Sequence, residues 1–214
     1  MTPPSLTVAS RRADRERQFR EATASHVVGW PLFWLEECGS TNDVVRELAG
    51  HGFPEGTFVA AERQTSGRGR KGDPWYSPAG QGLWCSFLLH PPFSPEHAPQ
   101  LTQVLACSLL EALAANLDVT AELKPPNDVL LGGRKLAGIL AESSILANAA
   151  RLDFLVLGIG VNLSTRFPDG LASLATSLAE HLPPERVPTA PLLAAWLAAA
   201  FERRYLELRA QLRR

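Results

Sequence analysis

The sequence carries no surplus of charge of either sign: Lys and Arg number 21 against 22 Asp and Glu in 214 residues. A balance that close sets up no global field for nucleic acid or an anionic membrane. Long apolar runs are missing too. The longest low-polarity stretch, Leu192–Phe201, is ten residues, too short to cross a bilayer. The opening MTPPSLTVASRR lacks the apolar segment of a secretory signal. Cysteine is scarce and odd in number (Cys38, Cys85, Cys107), which argues for small apolar fillers in a reducing compartment rather than a disulfide framework. The five histidines contain no pair at i, i+3 or i, i+4, so the spacing of a zinc site is lacking. A cytoplasmic location is expected. With 45% apolar and 20% charged residues, the chain has material for one substantial core.

Against these absences, Gln64–Gly82 stands out. Gly67–Gly72 holds three glycines, two arginines and a lysine in six residues. Such a stretch cannot build a core. Its glycines let the backbone approach a ligand closely, and its NH groups and guanidinium forks favour an anion. Gly67-x-Gly69-x-x-Gly72 has the form of the dinucleotide-binding fingerprint, but that motif needs its last glycine to open a helix. Asp73-Pro74-Trp75-Tyr76-Ser77-Pro78 follows instead, and the two prolines forbid a regular helix interior. A P-loop fails as well, because Gly72 is followed by Asp73 rather than Lys and Ser or Thr. Two readings stay open on this stretch alone: an anion-handling flap, or a mobile surface loop with solvated charges. With few apolar side chains to offset the entropy of ordering, the flap is expected to be mobile without a ligand.

Elsewhere the period of the apolar residues sets the elements. Residues 1–28, with five arginines and three acids in RRADRERQFREA, are expected to be a peripheral segment, too short for a three-helix DNA-reading domain. Leu32–Leu35 reads as a buried strand, and Ser40-Thr41-Asn42-Asp43 precedes a helix with Val44, Val45, Leu48 and Ala49 at helical spacing. One capping residue would suffice there. The surplus polar groups either cap the helix or bind a small polar ligand at its exposed NH groups. Strands are expected at Thr57–Glu62 and Leu83–Leu89, and an amphipathic helix between Pro95 and Leu117. Val119–Lys124 is read as a strand leading into Pro125-Pro126-Asn127-Asp128. Val129–Leu131, Gly132-Gly133 and Arg134–Glu142 then read as a hairpin, with Lys135 in an otherwise apolar strand. Leu152–Val161 is a near-continuous apolar strand in which Gly158 and Gly160 suggest a close backbone approach. Pro188–Arg214 reads as one amphipathic helix.

Four signatures now stand in order: STN at 40–42, QTSGRGRKG at 64–72, KPPND at 124–128 with RKLAGIL at 134–140, and GIGVN at 158–162. Together they resemble the biotin protein ligases over roughly residues 32–165. The resemblance implies an α+β fold, a mixed and largely antiparallel sheet with helices on one face, with residues 29–214 as a catalytic domain of the biotin/lipoate ligase type. It implies ATP-dependent activation of biotin to biotinyl-5'-AMP and transfer to a lysine of the biotin carboxyl carrier domain of a carboxylase. Biotin contacts are implied for Ser40, Thr41, Asn42, Gln64, Arg68, Gly69, Arg70, Lys135 and Gly138. Arg68, Arg70 and Lys135 take the catalytic, charge-offsetting roles. Arg70, Trp75, Lys124, Asn127 and Asn162 match the nucleotide side, and Asp128 matches a Mg²⁺ position.

The chemistry is consistent with those roles. A carboxylate attacking an ATP α-phosphate brings two anions together, and cations must offset the repulsion. Two departures from the family pattern stand out. Pro125 replaces the tryptophan usual in Lys-Trp-Pro-Asn-Asp, and the sequence stops after its last helix, ahead of the C-terminal β-barrel domain of most members. The expectation is therefore a catalytic domain without DNA-binding or β-barrel partners, acting on small molecules and a carrier protein, with a homodimer left open. Alternatives are a lipoate-protein ligase, which shares fold and adenylation chemistry, and a non-catalytic biotin- or adenylate-binding module.

Overall fold

The strands form where apolar residues alternate or run continuously between turn residues. In the computed structural model, which describes residues 4–92, 94–145 and 152–212, seven strands are found. They are β1 (Leu32–Cys38), β2 (Phe58–Gln64), β3 (Gly82–Leu89), β4 (Glu122–Lys124), β5 (Asp128–Leu131), β6 (Arg134–Ile145) and β7 (Leu152–Asn162). They make one sheet in the order β1-β2-β3-β7-β6-β5-β4. β1 and β2 are parallel and every other pairing is antiparallel. The α-helices among the described residues are α1 (Pro4–Ala22), α2 (Thr41–Gly50), α3 (Ala98–Leu117) and α4 (Ala190–Leu212). The expected mixed, largely antiparallel α+β fold is what forms, and the last two residues of the expected terminal helix lie outside the described residues.

Side-chain alternation divides the sheet into two faces. On one, Phe58, Ala60, Phe87, Leu89, Leu157, Ile159 and Val161 meet Leu105, Leu109 and Leu113 of α3 and Leu197 and Phe201 of α4 in the main core. On the other, Val59, Leu88 and Val156 meet Val45 of α2 in a smaller cluster. α1, α3 and α4 thus cover the face expected to carry the helices, while α2 sits alone on the opposite one. That leaves the second face only partly covered, beside the amino end of α2.

The amino-terminal segment is peripheral only in its first described turns. Phe19 is fully buried and stacks on Phe58 with ring centroids 5.4 Å apart. Arg15 reaches Glu62 at 2.8 Å and Glu36 at 3.0 Å. Beyond α1, the backbone NH groups of His26, Val27 and Val28 all donate to the buried Glu202 carboxylate of α4 at 2.7–3.0 Å. Three NH donors on one carboxylate fix the approach to β1. One phenylalanine in a charged helix was too weak a signal to show this from the sequence.

Candidate active site

The open part of the second face has a floor of glycine. Gly158 and Gly160 of β7 and Gly138 of β6 point no side chain upward, and Gly138 and Gly160 are register partners. A Cβ on Gly158 would come within 2.1 Å of Asn42 Oδ1, and one on Gly160 within 2.2 Å of Trp75 Nε1. At Gly138 the Trp75 ring would be 2.9 Å away. The close approach expected of Gly158 and Gly160 is therefore real, and its occupants are Asn42 and Trp75.

One wall is the amino end of α2. Ser40 is its N-cap in backbone conformation but makes no side-chain capping bond. Gln64 Oε1 accepts from the Thr41 backbone NH at 2.9 Å and from the Thr41 hydroxyl at 3.2 Å, serving the free NH that a cap would serve. Capping thus does not account for the polar run, and Ser40, Thr41 and Asn42 are all buried facing the pocket. Ser86, fully buried in β3, shares a 2.7 Å hydrogen bond with the Thr41 hydroxyl and donates to Asn42 Oδ1 at 2.6 Å. Sequence reasoning missed Ser86. Its signal was a lone hydroxyl inside the apolar run Leu83–Leu89, where a polar group needs a partner.

The roof is the glycine-rich stretch, placed by a set of backbone and side-chain hydrogen bonds. Gly69 NH donates to Asp73 O at 2.7 Å, Trp75 NH to Gly67 O at 2.9 Å, and Thr65 and Ser66 NH to Cys38 and Gly39 carbonyls at 3.0 and 2.8 Å. Gln64 Nε2 donates to Ser77 Oγ at 2.9 Å. Trp75 lies down on the glycine floor, its Nε1 buried without a hydrogen-bond partner. Arg68 donates through both forks to Asp43, at 2.6 and 2.7 Å, and also to Glu142 at 3.1 and 3.2 Å. These bonds, with Arg46 assisting, hold the Asp43 carboxyl below its ordinary range.

Lys135 enters through a bulge. The β5–β6 register shifts so that Leu130 faces Lys135 while Val129 faces Ala137. Leu136 and Ala137 consequently both turn into the main core, and Lys135 is re-aimed to the glycine face shared by Gly138. Simple alternation would have buried the lysine under the sheet beside Ala137. Its Nζ lies 5.1 Å from the centroid of the Trp75 ring and 2.7 Å from Asp128 Oδ1, an ion pair not aligned as a hydrogen bond. The space left between floor, wall and roof is about 40 Å³, against ~300–1,000 Å³ for small-molecule sites generally. Burial holds the thiol of Cys85, which lines the pocket, far above its ordinary pKa, and Cys38 is pushed up to about 11 by burial and by Asp43 and Glu37. Neither supplies a thiolate nucleophile near neutrality.

Of the residues expected here, Ser40, Thr41, Asn42, Gln64, Arg68, Gly69, Trp75, Asn127, Lys135 and Gly138 line this one pocket. Arg70 does not. It lines an adjoining cleft of about 340 Å³ with Thr102, Gln103 and Pro126, which shares Asn127, Ile139 and Leu140 with the pocket. Lys124 is exposed at the end of β4 and lines neither. Asn127 donates to Ile139 O at 2.9 Å and so pins the proline turn to β6. Asn162 is buried, with its amide on Thr176 O at 3.1 Å and Lys135 O at 3.4 Å, and acts as a structural tie. Among the described residues no group of three or more His, Cys, Asp or Glu is placed to hold a metal. Asp128 faces Lys135.

A glycine-floored pocket on a mixed sheet is thus roofed by a cationic loop and entered by one re-aimed lysine. The model of the Biotin/lipoate A/B protein ligase family matches residues 35–162, more than half of the chain. The chain belongs to that family. It is 36% identical over 168 residues to the bifunctional ligase/repressor BirA of Bacillus spizizenii, which covers 77% of this chain and 51% of that protein. With the biotin--[acetyl-CoA-carboxylase] ligase of Mycobacterium tuberculosis it shares 36% over 169 residues, 76% of this chain and 60% of that one. The chain spans roughly half the length of the BirA relatives it matches. Among solved structures, the Aquifex aeolicus biotin protein ligase in complex with biotin and ATP superposes with a TM-score of 0.72 at 32% identity, over 85% of this chain and 73% of that one.

Proposed function

We propose that the chain activates biotin with ATP and transfers it to a carrier lysine. The observation that carries this reading is the single pocket in which Ser40, Thr41, Asn42 and Gln64 meet Lys135 over a bare glycine floor. The polar wall suits a neutral, hydrogen-bonding ring system, and the lysine end suits a carboxylate. In the first step a biotin carboxylate oxygen attacks the α-phosphorus of ATP, the bond to the β-phosphate oxygen breaks, and pyrophosphate leaves. Lys135 offsets the negative charge that gathers between the two anions. Arg70, on the cleft sharing Asn127 with the pocket, is assigned to the phosphate side. In the second step a lysine amine attacks the acyl carbon, AMP leaves, and the amine gives up a proton. No side-chain nucleophile is required.

Support for biotin over lipoate comes from the relatives, among them the Aquifex aeolicus structure in complex with biotin and ATP. The acceptor is assigned as the biotin carboxyl carrier domain of a carboxylase, by analogy with the Mycobacterium tuberculosis ligase. No described helix is long and apolar enough to cross a membrane, and a cytoplasmic site of action is proposed. Mg²⁺ is assigned no protein-made site and no step. Biotin-dependent exchange between ATP and pyrophosphate tests the reading without any carrier. Exchange with biotin supports it, and exchange with lipoate alone overturns it.

A further inference from the structure

The polar wall at the amino end of α2 has few protons to share among its oxygens, and their number gives the wall a direction. Glu142 of β6 stands at one end, its carboxylate paired with Arg46 of α2 at 3.0 Å and with Arg68 at 3.1 Å. A carboxylate held by arginines only accepts. The nitrogen of Asn42, 2.7 Å from Glu142 Oε2, is therefore the end of the amide that must face it. Asn42 Oδ1 is thereby turned to Ser86 Oγ at 2.6 Å, and that bond takes the single proton of the Ser86 hydroxyl. Ser86 Oγ also lies 2.7 Å from Thr41 Oγ1. Two hydroxyl oxygens that close need a proton between them, and Thr41 supplies it. Its other acceptor in reach, Gln64 Oε1, is more distant at 3.2 Å and already has the Thr41 backbone NH at 2.9 Å. The chain of donors thus runs one way, from Thr41 to Ser86 to Asn42 to Glu142, and its first three side chains are buried.

We propose that Glu142 is a specificity-determining positioning residue, which sets the hydrogen-bond polarity of the pocket wall. With its proton committed to Ser86, the Thr41 hydroxyl is left as an acceptor beside the acceptor Gln64 Oε1, and both residues line the pocket. Two neighbouring acceptors call for N–H donors on the ring that lies against them. They disfavour a ring with none, because buried oxygens would then lack a partner. A cyclic urea offers such donors, and a cyclic disulfide does not. Glu142 does not line the pocket and acts through Asn42 and Ser86. Without its carboxylate the Asn42 amide is free to turn over, Ser86 can give its proton to Thr41, and Thr41 can present a donor instead. The ligand preference rests on the biotin reading, whereas the direction of the chain does not.

The test compares the full wild-type chain with Glu142→Met, which removes the acceptor, and Glu142→Gln, which keeps an oxygen to offer Asn42. Glu142 is partly exposed and outside both apolar clusters, so both variants are expected to fold, which thermal denaturation verifies. Calorimetric titration gives Kd for biotin and for its two cyclic carbamates, each with one ring NH replaced by oxygen. All three carry the same carboxylate, so changes at Arg46, Arg68 or Lys135 cancel in the ratio. Wild type is expected to prefer biotin over one of the carbamates by ~10²-fold or more. Glu142→Met is expected to lower that ratio ~tenfold or more, and Glu142→Gln to keep most of it. An unchanged ratio in Glu142→Met, or an equal loss in Glu142→Gln, overturns the proposal. A second readout needs no ligand: exchange of the Asn42 side-chain amide protons, followed by NMR, is expected to quicken ~10–100-fold in Glu142→Met. Unchanged exchange also overturns the proposal. If wild type does not bind biotin, the proposed reaction fails and the amide exchange alone decides the chain. If Glu142→Met does not fold, Ser86→Ala breaks the chain at its middle, and full selectivity in that variant overturns the proposal.

Discussion

Replacing Lys135 with alanine separates chemistry from packing. The side chain is about one-third exposed, it pairs with Asp128 at 2.7 Å, and its ammonium lies 5.1 Å from the Trp75 ring centroid. A partly exposed ion pair contributes ~0–1 kcal/mol, and a cation–π contact at such a site ~0.5–1 kcal/mol. Removing both should cost about 1 kcal/mol of stability, a Tm shift of roughly 2–4 °C for a chain this size. The main core is untouched, because the bulge turns Leu136 and Ala137 inward in its place. The reaction should lose far more. A unit charge ~4 Å from a developing anion is worth ~4 kcal/mol at an effective dielectric of 20, and loss of one such group typically slows turnover by ~10²–10³-fold. The paired assay is a calorimetric scan beside biotin-dependent pyrophosphate exchange. A variant that exchanges at the normal rate, or that unfolds, would refute the assignment of Lys135 as an offsetting charge.

Asp128→Asn leaves Lys135 without its counter-charge, so the rate should fall with the Mg²⁺ dependence unchanged. A large rise in the Mg²⁺ needed for half-maximal rate would instead make Asp128 a metal ligand. Ser86→Ala takes from Asn42 Oδ1 the donor that holds it. Leaving that buried acceptor unsatisfied costs ~1–3 kcal/mol, and the KM for biotin should rise more than kcat falls, read from initial rates at varied biotin. Equal changes in both would make Ser86 part of the core alone.

Most of the fold was legible because its strands are short apolar runs between glycine, proline and Asn/Asp turns, and because α2 and α3 keep a helical period. The site was legible only as residue types. Glycines at 158 and 160 signalled a close approach without saying that Asn42 and Trp75 would make it. The position of Lys135 depends on one extra residue in β6, and no periodicity argument places a bulge. Arg68 read as an anion handler because its partners, Asp43 and Glu142, lie 25 and 74 residues away. Asn162 ends its strand with its amide on two backbone carbonyls, partners from distant segments that no local pattern shows. Phe19 anchors the amino-terminal segment on Phe58, and Glu202 reaches that segment across more than 170 residues of chain, contacts that only the folded core reveals.

The central claim is that one pocket joins biotin's carboxylate to the α-phosphate of ATP beside Lys135. Isotope exchange between pyrophosphate and ATP measures that step alone, with no carrier protein and no second half-reaction. The account predicts exchange that depends on biotin, is absent with lipoate, and is lost in Lys135→Ala while that variant stays folded. Exchange driven by lipoate and not by biotin, or biotin exchange undiminished in Lys135→Ala, would contradict it.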